Sequence, residues 1–244
     1  MNKTQAFPVS QISGIAAHLA WANLDVLVDD VDEVQVLAAG DENDVTDLRI
    51  TEKDGVLTVE QPTYGLSIKL NADRWMQVVL RIPKAWKGAL EANTINGPLN
   101  ARGISGTDVH LETVSADLRA TGLTGMDMDL KTVSGAVTGL GLTTDKLGLR
   151  TVSGNMNMQS VVCQTAKLSG VSGDISLEMT AEFKKIDVTT VTGQVQLYAP
   201  IHEADALLRA VTGRVRTSGV SIADGEHQVR GTSVSGDLEI ICNA

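Results

Sequence analysis

Hydrophobic and polar positions divide the chain into an irregular first part and a second part in which one pattern keeps returning. Aligned on one glycine position, the pattern puts Gly97, Ala116, Gly135, Gly154, Gly173, Gly193, Gly213 and Gly236 in register, at spacings of 19, 19, 19, 19, 20, 20 and 23 residues. Two residues earlier stand Ile95, Val114, Val133, Val152, Val171, Val191, Val211 and Val234; two residues later stand Leu99, Leu118, Val137, Met156, Ile175, Val195, Val215 and Leu238. Five before the glycine come Ala92, Leu111, Leu130, Leu149, Leu168, Val188 and Leu208, with Gly231 breaking the run. Seven before come Leu90, Val109, Met128, Leu147, Ala166, Ile186, Ala206 and Val229. All four columns read as core-facing, and alternation at a period of two marks strands. The inward phase slips at the threonines Thr113, Thr132, Thr151 and Thr190, again across the Ser-Gly step, and again near Gly103, Gly122, Gly141 and Gly219. Those slips read as corners, where glycine relieves a positive φ or a clash with the next rung.

A repeat of this length is one stacked supersecondary unit. Helical spacing never persists through it, and 19 residues cannot hold a helix, a strand and two turns. The expected fold is all-β: a single-stranded parallel β-helix, or β-solenoid, with rungs of about 19 residues. Each rung rises about 4.8 Å, and right-handed winding is the usual hand for parallel crossovers. Residues 89–244 form the regular repeat. Residues 1–88 carry less regular strands, such as Asp25-Val26-Leu27-Val28, Val34-Gln35-Val36-Leu37 and Val78-Val79-Leu80-Arg81-Ile82. Asp54-Gly55 between Ile50 and Leu57 reads as a hairpin turn. Residues 11–23 fit either a short amphipathic helix or an opening strand, and the strand is preferred because Ile15, Ala17, Leu19 and Trp21 alternate. This first part is expected to include antiparallel pairs and to cap one end of a single continuous structural domain.

Composition fits a narrow aliphatic core: aromatics are 3% of 244 residues. The net charge of -10 leaves no electrostatic footprint for nucleic acid or an anionic membrane surface, so polyanion partners are not expected. No stretch reaches 18 apolar residues, so no membrane span is expected, and no secretion signal is visible after Met1. Cys163 and Cys242 stand among apolar neighbours and read as inert thiols. Counted in sequence order they lie four rungs apart, about 19 Å along the axis, beyond the reach of a disulfide.

The candidate chemistry reduces to architecture. Ser115, Ser134, Ser153, Ser172, Thr192, Thr212 and Ser235 make a hydroxyl column, but no row sets a histidine beside a serine with an acid to orient it. Those hydroxyls are expected to bond the turn backbone and one another. His18, His110, His202 and His227 have no metal-ligand spacing, and the acidic runs at 29–33 and 41–44 match no calcium loop. The acid pair Asp174 and Glu178 is four residues apart on an extended strand, roughly 13 Å, too far for either glycosidase geometry. No catalytic, cofactor-binding or metal residue is assigned, and no cofactor is expected. A β-helix carbohydrate-active enzyme is the alternative from another class, and a cytoplasmic regulatory or envelope-stress scaffold is the second.

The Thr-Val-Ser-Gly ladder, the strand Val78-Val79-Leu80-Arg81-Ile82-Pro83 leading to Thr94-Ile95-Asn96-Gly97, and the hairpin Asp54-Gly55-Val56-Leu57-Thr58-Val59 together resemble the "putative adhesin" family of bacterial β-helix proteins. The resemblance runs from about residue 12 to 241 and reports rung architecture. It implies a non-enzymatic binding or scaffold protein of the cell envelope, at the surface or outside the cell, whose partner is an unknown protein or glycan. One further expectation comes from the sequence itself. The last rung, 237–241, shows no cap, and its open edge would pair end to end with another copy.

Overall fold

A computed structural model describes residues 1–62 and 75–243. The fold is all-β: among the described residues 22 strands hydrogen-bond into one sheet that wraps nearly closed around an aliphatic core, with one short α-helix and a 3-10 turn at Val9–Gln11. In chain order, β1 (Asn2–Pro8) precedes β2 (Gly14–Leu19), β3 (Asn23–Asp29) and β4 (Glu33–Gly40). Helix α1 (Glu42–Asp47) then leads to β5 (Arg49–Lys53), β6 (Val56–Glu60) and β7 (Met76–Pro83). The repeat supplies β8 (Ala89–Thr94), β9 (Leu99–Arg102), β10 (Asp108–Thr113), β11 (Leu118–Thr121), β12 (Thr124–Ser134), β13 (Val137–Ser153) and β14 (Met156–Ser172). It continues through β15 (Ile175–Met179), β16 (Lys185–Thr192), β17 (Val195–Ala199), β18 (Glu203–Thr212), β19 (Val215–Ser218), β20 (Ser221–Ile222), β21 (Gln228–Ser235) and β22 (Leu238–Cys242).

Through the middle of the chain the strands stack in parallel at the repeat length. Val109 lies opposite Met128, Met128 opposite Leu147, and Leu147 opposite Ala166, each a step of 19 residues. This register superimposes the aliphatic columns, so Leu111, Leu130, Leu149 and Leu168 are buried one above another, as are Leu99, Leu118, Val137 and Met156. Glycine is required at the shared corner. Gly154 has φ +151°, and a Cβ there would overlap the carbonyl oxygen of Gly135 in the rung beneath.

One column turns the other way from the sequence expectation. Ile95, Val133, Val152, Val171, Val191 and Val234 are 41–50% exposed, forming an outward β-branched ridge, whereas Thr94, Thr113, Thr132, Thr151 and Thr190 are buried. The reason is that alternation does not slip at the threonine. It runs unbroken from seven through five to three residues before the glycine, so the threonine takes an inward place and the valine after it an outward one. At some of these positions the corner itself satisfies the hydroxyl: Thr94 Oγ1 donates to the Gly97 carbonyl at 2.6 Å, Thr113 Oγ1 to that of Ala116 at 2.8 Å and Thr190 Oγ1 to that of Thr192 at 3.1 Å, whereas Thr151 Oγ1 is buried with no hydrogen-bond partner among the described residues. The two slips expected around Thr-Val-Ser-Gly are therefore one corner.

The stack also departs from sequence order at both ends. β2 lies between β6 and β8, and β3 between β7 and β9, so the first rung of the chain is second in the stack. Correspondingly, β21 lies between β16 and β18, and β22 between β17 and β19. The longer final spacing provides the segment 219–227, which carries the chain past the 203–218 rung and back into the stack. The expected open edge at 237–241 is thus interior, and the outer edge belongs to β18, β19 and β20. Cys163 and Cys242 are separated by three rung steps rather than four, through β15 and β17. At about 4.8 Å per step they remain out of disulfide range, and both are free thiols. Burial pushes the Cys163 thiol up to about 12.

The far end, at the N-terminus, is covered. β5 closes a hairpin on β6, with Asp54 and Gly55 at φ +52° and +81° in the turn. β4 pairs antiparallel with β7, and β1 pairs antiparallel with β4. Val45 in α1 and Leu48 after it are buried against this cover.

Candidate functional site

The side chains on the outward face beyond the corner mostly serve the backbone. Asp117 Oδ1 accepts the Ala136 N–H at 3.0 Å, Asn155 Oδ1 that of Asp174 at 3.0 Å, Asp174 Oδ1 that of Gln194 at 2.8 Å and Asp237 Oδ1 that of Arg214 at 2.8 Å. This ladder of Asp and Asn side chains stitches four corners to the neighbouring rung and occupies Asp174 of the acid pair Asp174 and Glu178. The histidines are scattered. His227 Nδ1 lies 2.7 Å from the Phe183 carbonyl, His18 Nδ1 3.2 Å from Asn93, and His202 Nδ1 3.3 Å from Cys242 Sγ. Among the described residues no three His, Cys, Asp or Glu side chains converge as a metal site, and no helix is long and apolar enough to cross a membrane.

A different face brings charges together. On β12, β13, β14 and β16 the outward positions eight, six and four residues before the glycine form a grid. At its centre stands Gly148, opposite Asp129 on one side and Lys167 on the other. Lys146 and Arg150 flank Gly148 two residues away on the same strand, so alternation sets all three cations on one face. An open hollow of about 270 Å³ lies over this grid, rimmed by Asp127, Lys146, Arg150, Thr165, Lys167, Lys185 and Asp187, with the Asp129 carboxylate reaching over the glycine. A Cβ at residue 148 would stand 2.7 Å from Asp129 Oδ1, so even alanine would crowd the floor.

The charges here are unevenly matched. Asp129 Oδ2 accepts Lys131 Nζ at 2.9 Å, and Asp187 pairs with Lys185 at 2.9 Å. Lys146, Arg150 and Lys167 are exposed and have no ion-pair partner among the described residues. Around one glycine the chain thus sets three uncommitted cations against one uncommitted acid, Asp127, and the unpartnered Oδ1 of Asp129. The arrangement can hold a small oxyanion by charge-assisted hydrogen bonds. The acid pair weighed from the sequence, Asp174 and Glu178, follows the corner, whereas this group precedes it. Its signal was available in the 19-residue register, which sets Lys146, Gly148 and Arg150 directly beside Thr165, Lys167 and Ser169.

An Arg–Asp clamp stands at each end of the stack. Arg81 of β7 binds Asp29 of β3 through Nε at 2.8 Å, and Arg230 of β21 binds Asp205 of β18 through two nitrogens at 3.1 and 2.6 Å. The Asp29 carboxyl is held below the usual carboxylate range, first by the Asp30 N–H and then by Arg81, and that of Asp205 by the Arg230 guanidinium.

Fold and surface together define an all-β protein whose aliphatic core is enclosed by stacked strands and whose polar groups face outward along one sheet. The Toastrack DUF4097 family model matches residues 18–241, and the chain belongs to that family. Two solved structures share the fold. One is described as a "putative adhesin" from Bacteroides fragilis NCTC 9343, at 13% identity with TM-score 0.55, covering 98% of this chain and 97% of that one. Another "putative adhesin", from Parabacteroides distasonis ATCC 8503, has 14% identity and TM-score 0.53, again covering 98% and 97%. No curated protein matches the chain in sequence.

Proposed function

We propose that this chain is a non-enzymatic binding module of the bacterial cell envelope, built on a parallel β-helix of 19-residue rungs, and that it holds an acidic glycan against the sheet face around Gly148. The observation that carries this reading is the convergence of Lys146, Arg150 and Lys167, all without ion-pair partners among the described residues, on a hollow floored by a glycine. A hollow of about 270 Å³ suits a sugar unit. Carboxylate or sulfate groups would meet the cations, and Asp127 and Thr165 on the rim would take sugar hydroxyls. The adhesin descriptions of the two structural neighbours are consistent with a surface-binding role. The corner-bonded acids, Asp117, Asp174 and Asp237, favour binding over hydrolysis, because a carboxylate committed to a backbone N–H is poorly placed as general acid or base.

Arrays of neutral and acidic polysaccharides test the reading. The protein should be retained by acidic glycans only, with no reducing ends released. Lys146→Glu and Arg150→Glu should each weaken retention roughly tenfold, the size expected for losing one charge-assisted contact. Release of reducing ends would overturn the non-enzymatic reading. Retention of both variants at the wild-type level would overturn the site, and recovery of all the protein in the cytosol on cell fractionation would overturn the envelope location.

A further inference from the structure

Charge along the Gly148 face is sorted by rung, and the sorting extends well beyond the hollow. The outward positions eight, six and four residues before the corner superimpose from β8 to β18. On β8, β10 and β12 they hold five acids, Glu91, Asp108, Glu112, Asp127 and Asp129, against one cation, Lys131. From β13 to the outermost rung they hold six cations, Lys146, Arg150, Lys167, Lys185, Arg230 and Arg209, against two acids, Asp187 and Asp205. The crossover falls at a single step, where Asp127 lies opposite Lys146. Every rung on the positive side carries a cation, so the strip runs four rung steps, about 19 Å, from Gly148 to the end of the stack. Hydroxyls stand between the charges. The positions four before the corner read Arg150, Ser169, Thr189, Thr232 and Arg209 in stack order. Arg209 is exposed and has no ion-pair partner among the described residues.

We propose that the hollow is one end of a linear track, and that the acidic glycan lies lengthwise along the stack, from Gly148 to the β18 edge, as an internal stretch of a longer chain. The inference rests on the glycan reading of the hollow and adds the form and direction of the polymer. A chain crossing the strands at right angles meets a new row of outward side chains at each rung, so successive anionic groups reach successive cations. Lys146, Arg150, Lys167 and Arg209 are the free contacts, while Lys185 and Arg230 stay paired with Asp187 and Asp205. Ser169, Thr189 and Thr232 would take sugar hydroxyls between them, groups that a ligand carrying charge alone would leave unused. The two ends of the track are unlike. Asp108, Glu112 and Asp127 repel an anionic chain beyond the hollow. At the other end the chain runs out past Arg209, clear of β20, which lies beside Glu203 and Ala204 only. The net charge of -10 hides this segregation, which is why it gives no warning of an anionic partner.

Calorimetric titration of the full chain with oligouronates of defined length, and with sulfated oligosaccharides of the same lengths, tests this. Affinity should rise from disaccharide to octasaccharide. Arg209→Glu, at the far end of the track, should weaken the octasaccharide about fivefold, the size of one exposed ion pair, and leave the disaccharide in the hollow unchanged. Lys146→Glu should weaken both lengths. Asp108→Lys, which carries the positive strip past the hollow, should strengthen the octasaccharide alone. All three positions are exposed, so each variant should keep the wild-type circular dichroism spectrum. A protein that binds neither length of either acidic series would overturn the glycan reading of the hollow itself. Equal affinity for the two lengths, with Arg209→Glu changing neither, would leave the hollow as the site and overturn the track. Polyglutamate of matched charge bound as tightly as the octasaccharide would overturn the assignment of the track to a glycan.

Discussion

The two ends of the stack are made by the same topological step and finished differently. At each end a terminal rung of the chain is tucked one place inside the stack, and an Arg–Asp clamp ties it to the outermost rung: Asp29 to Arg81 at one end, Arg230 to Asp205 at the other. Beyond that point the N-terminal end adds a hairpin and two antiparallel strands. Its outermost strands carry Lys3 and Pro8 on β1, and Arg49, Glu52 and Lys53 on β5, residues that discourage further pairing. The C-terminal end adds nothing of the kind, and its edge strand reads Asp-Ala-Leu-Leu-Arg-Ala-Val-Thr from Asp205 to Thr212. The difference teaches that inserting a rung protects the chain terminus, while only the antiparallel cover protects the edge.

The largest expected effects test the insertion. Leu24 in β3 and Leu238 in β22 are buried between rungs, whereas Val215, in the same column as Leu238, lies on the end rung. Leu24→Ala and Leu238→Ala should each cost about 2–5 kcal/mol, and Val215→Ala under about 1 kcal/mol, because only the first two leave a cavity in packed core. Urea denaturation measures each cost. A stack in sequence order would reverse the two C-terminal values, making Val215 costly and Leu238 cheap.

A smaller effect separates the ends by how well their buried hydroxyls are satisfied. Near the N-terminal end Thr94 Oγ1 donates to the Gly97 carbonyl, while near the other end the buried Ser233 Oγ has no hydrogen-bond partner. Thr94→Val should therefore cost about 1–3 kcal/mol by stranding a buried carbonyl, and Ser233→Ala should be close to neutral. Comparable losses in both variants, measured by thermal or urea unfolding, would show that the Ser233 hydroxyl has a partner after all.

The rung length, the glycine corner and three of the four core columns were legible in the sequence, because packing and close approach of stacked backbones demand particular residues at a fixed interval. The ridge from Ile95 to Val234 was misread because β-branched residues serve two ends. They fill cores, and they also stiffen the extended backbone that enters a corner. The inward threonines were hidden by their hydroxyls, whose partners at Thr94 and Thr113 are carbonyls three residues on, invisible to any hydropathy pattern. Rung order was not legible at all, since periodicity fixes which residues superimpose and not which rung lies on which. The one trace is the spacing of 23 between Gly213 and Gly236, long enough for a return crossing. The cation group around Gly148 was legible only after the rungs were laid side by side.

The smallest expected effect distinguishes the two clamps by their chemistry. Both aspartates have lowered folded-state values, so each contributes stability above the unfolded carboxylate value of about 3.9 and loses it as pH falls through its folded value. The causes differ in order. Asp29 is held first by the Asp30 N–H, which donates to its Oδ1 at 2.7 Å, and only then by Arg81. Asp205 relies first on Arg230. Carboxyl titration by NMR should therefore show Asp205 rising to the ordinary range in Arg230→Ala, while Asp29 stays partly lowered in Arg81→Ala. Added salt should raise Asp205 more than Asp29, because a side-chain ion pair half open to solvent is screened and a local backbone hydrogen bond is not. Equal responses at the two ends would mean that the guanidinium governs both clamps, and the contrast between a locally fixed N-terminal corner and an ion-paired C-terminal edge would fall.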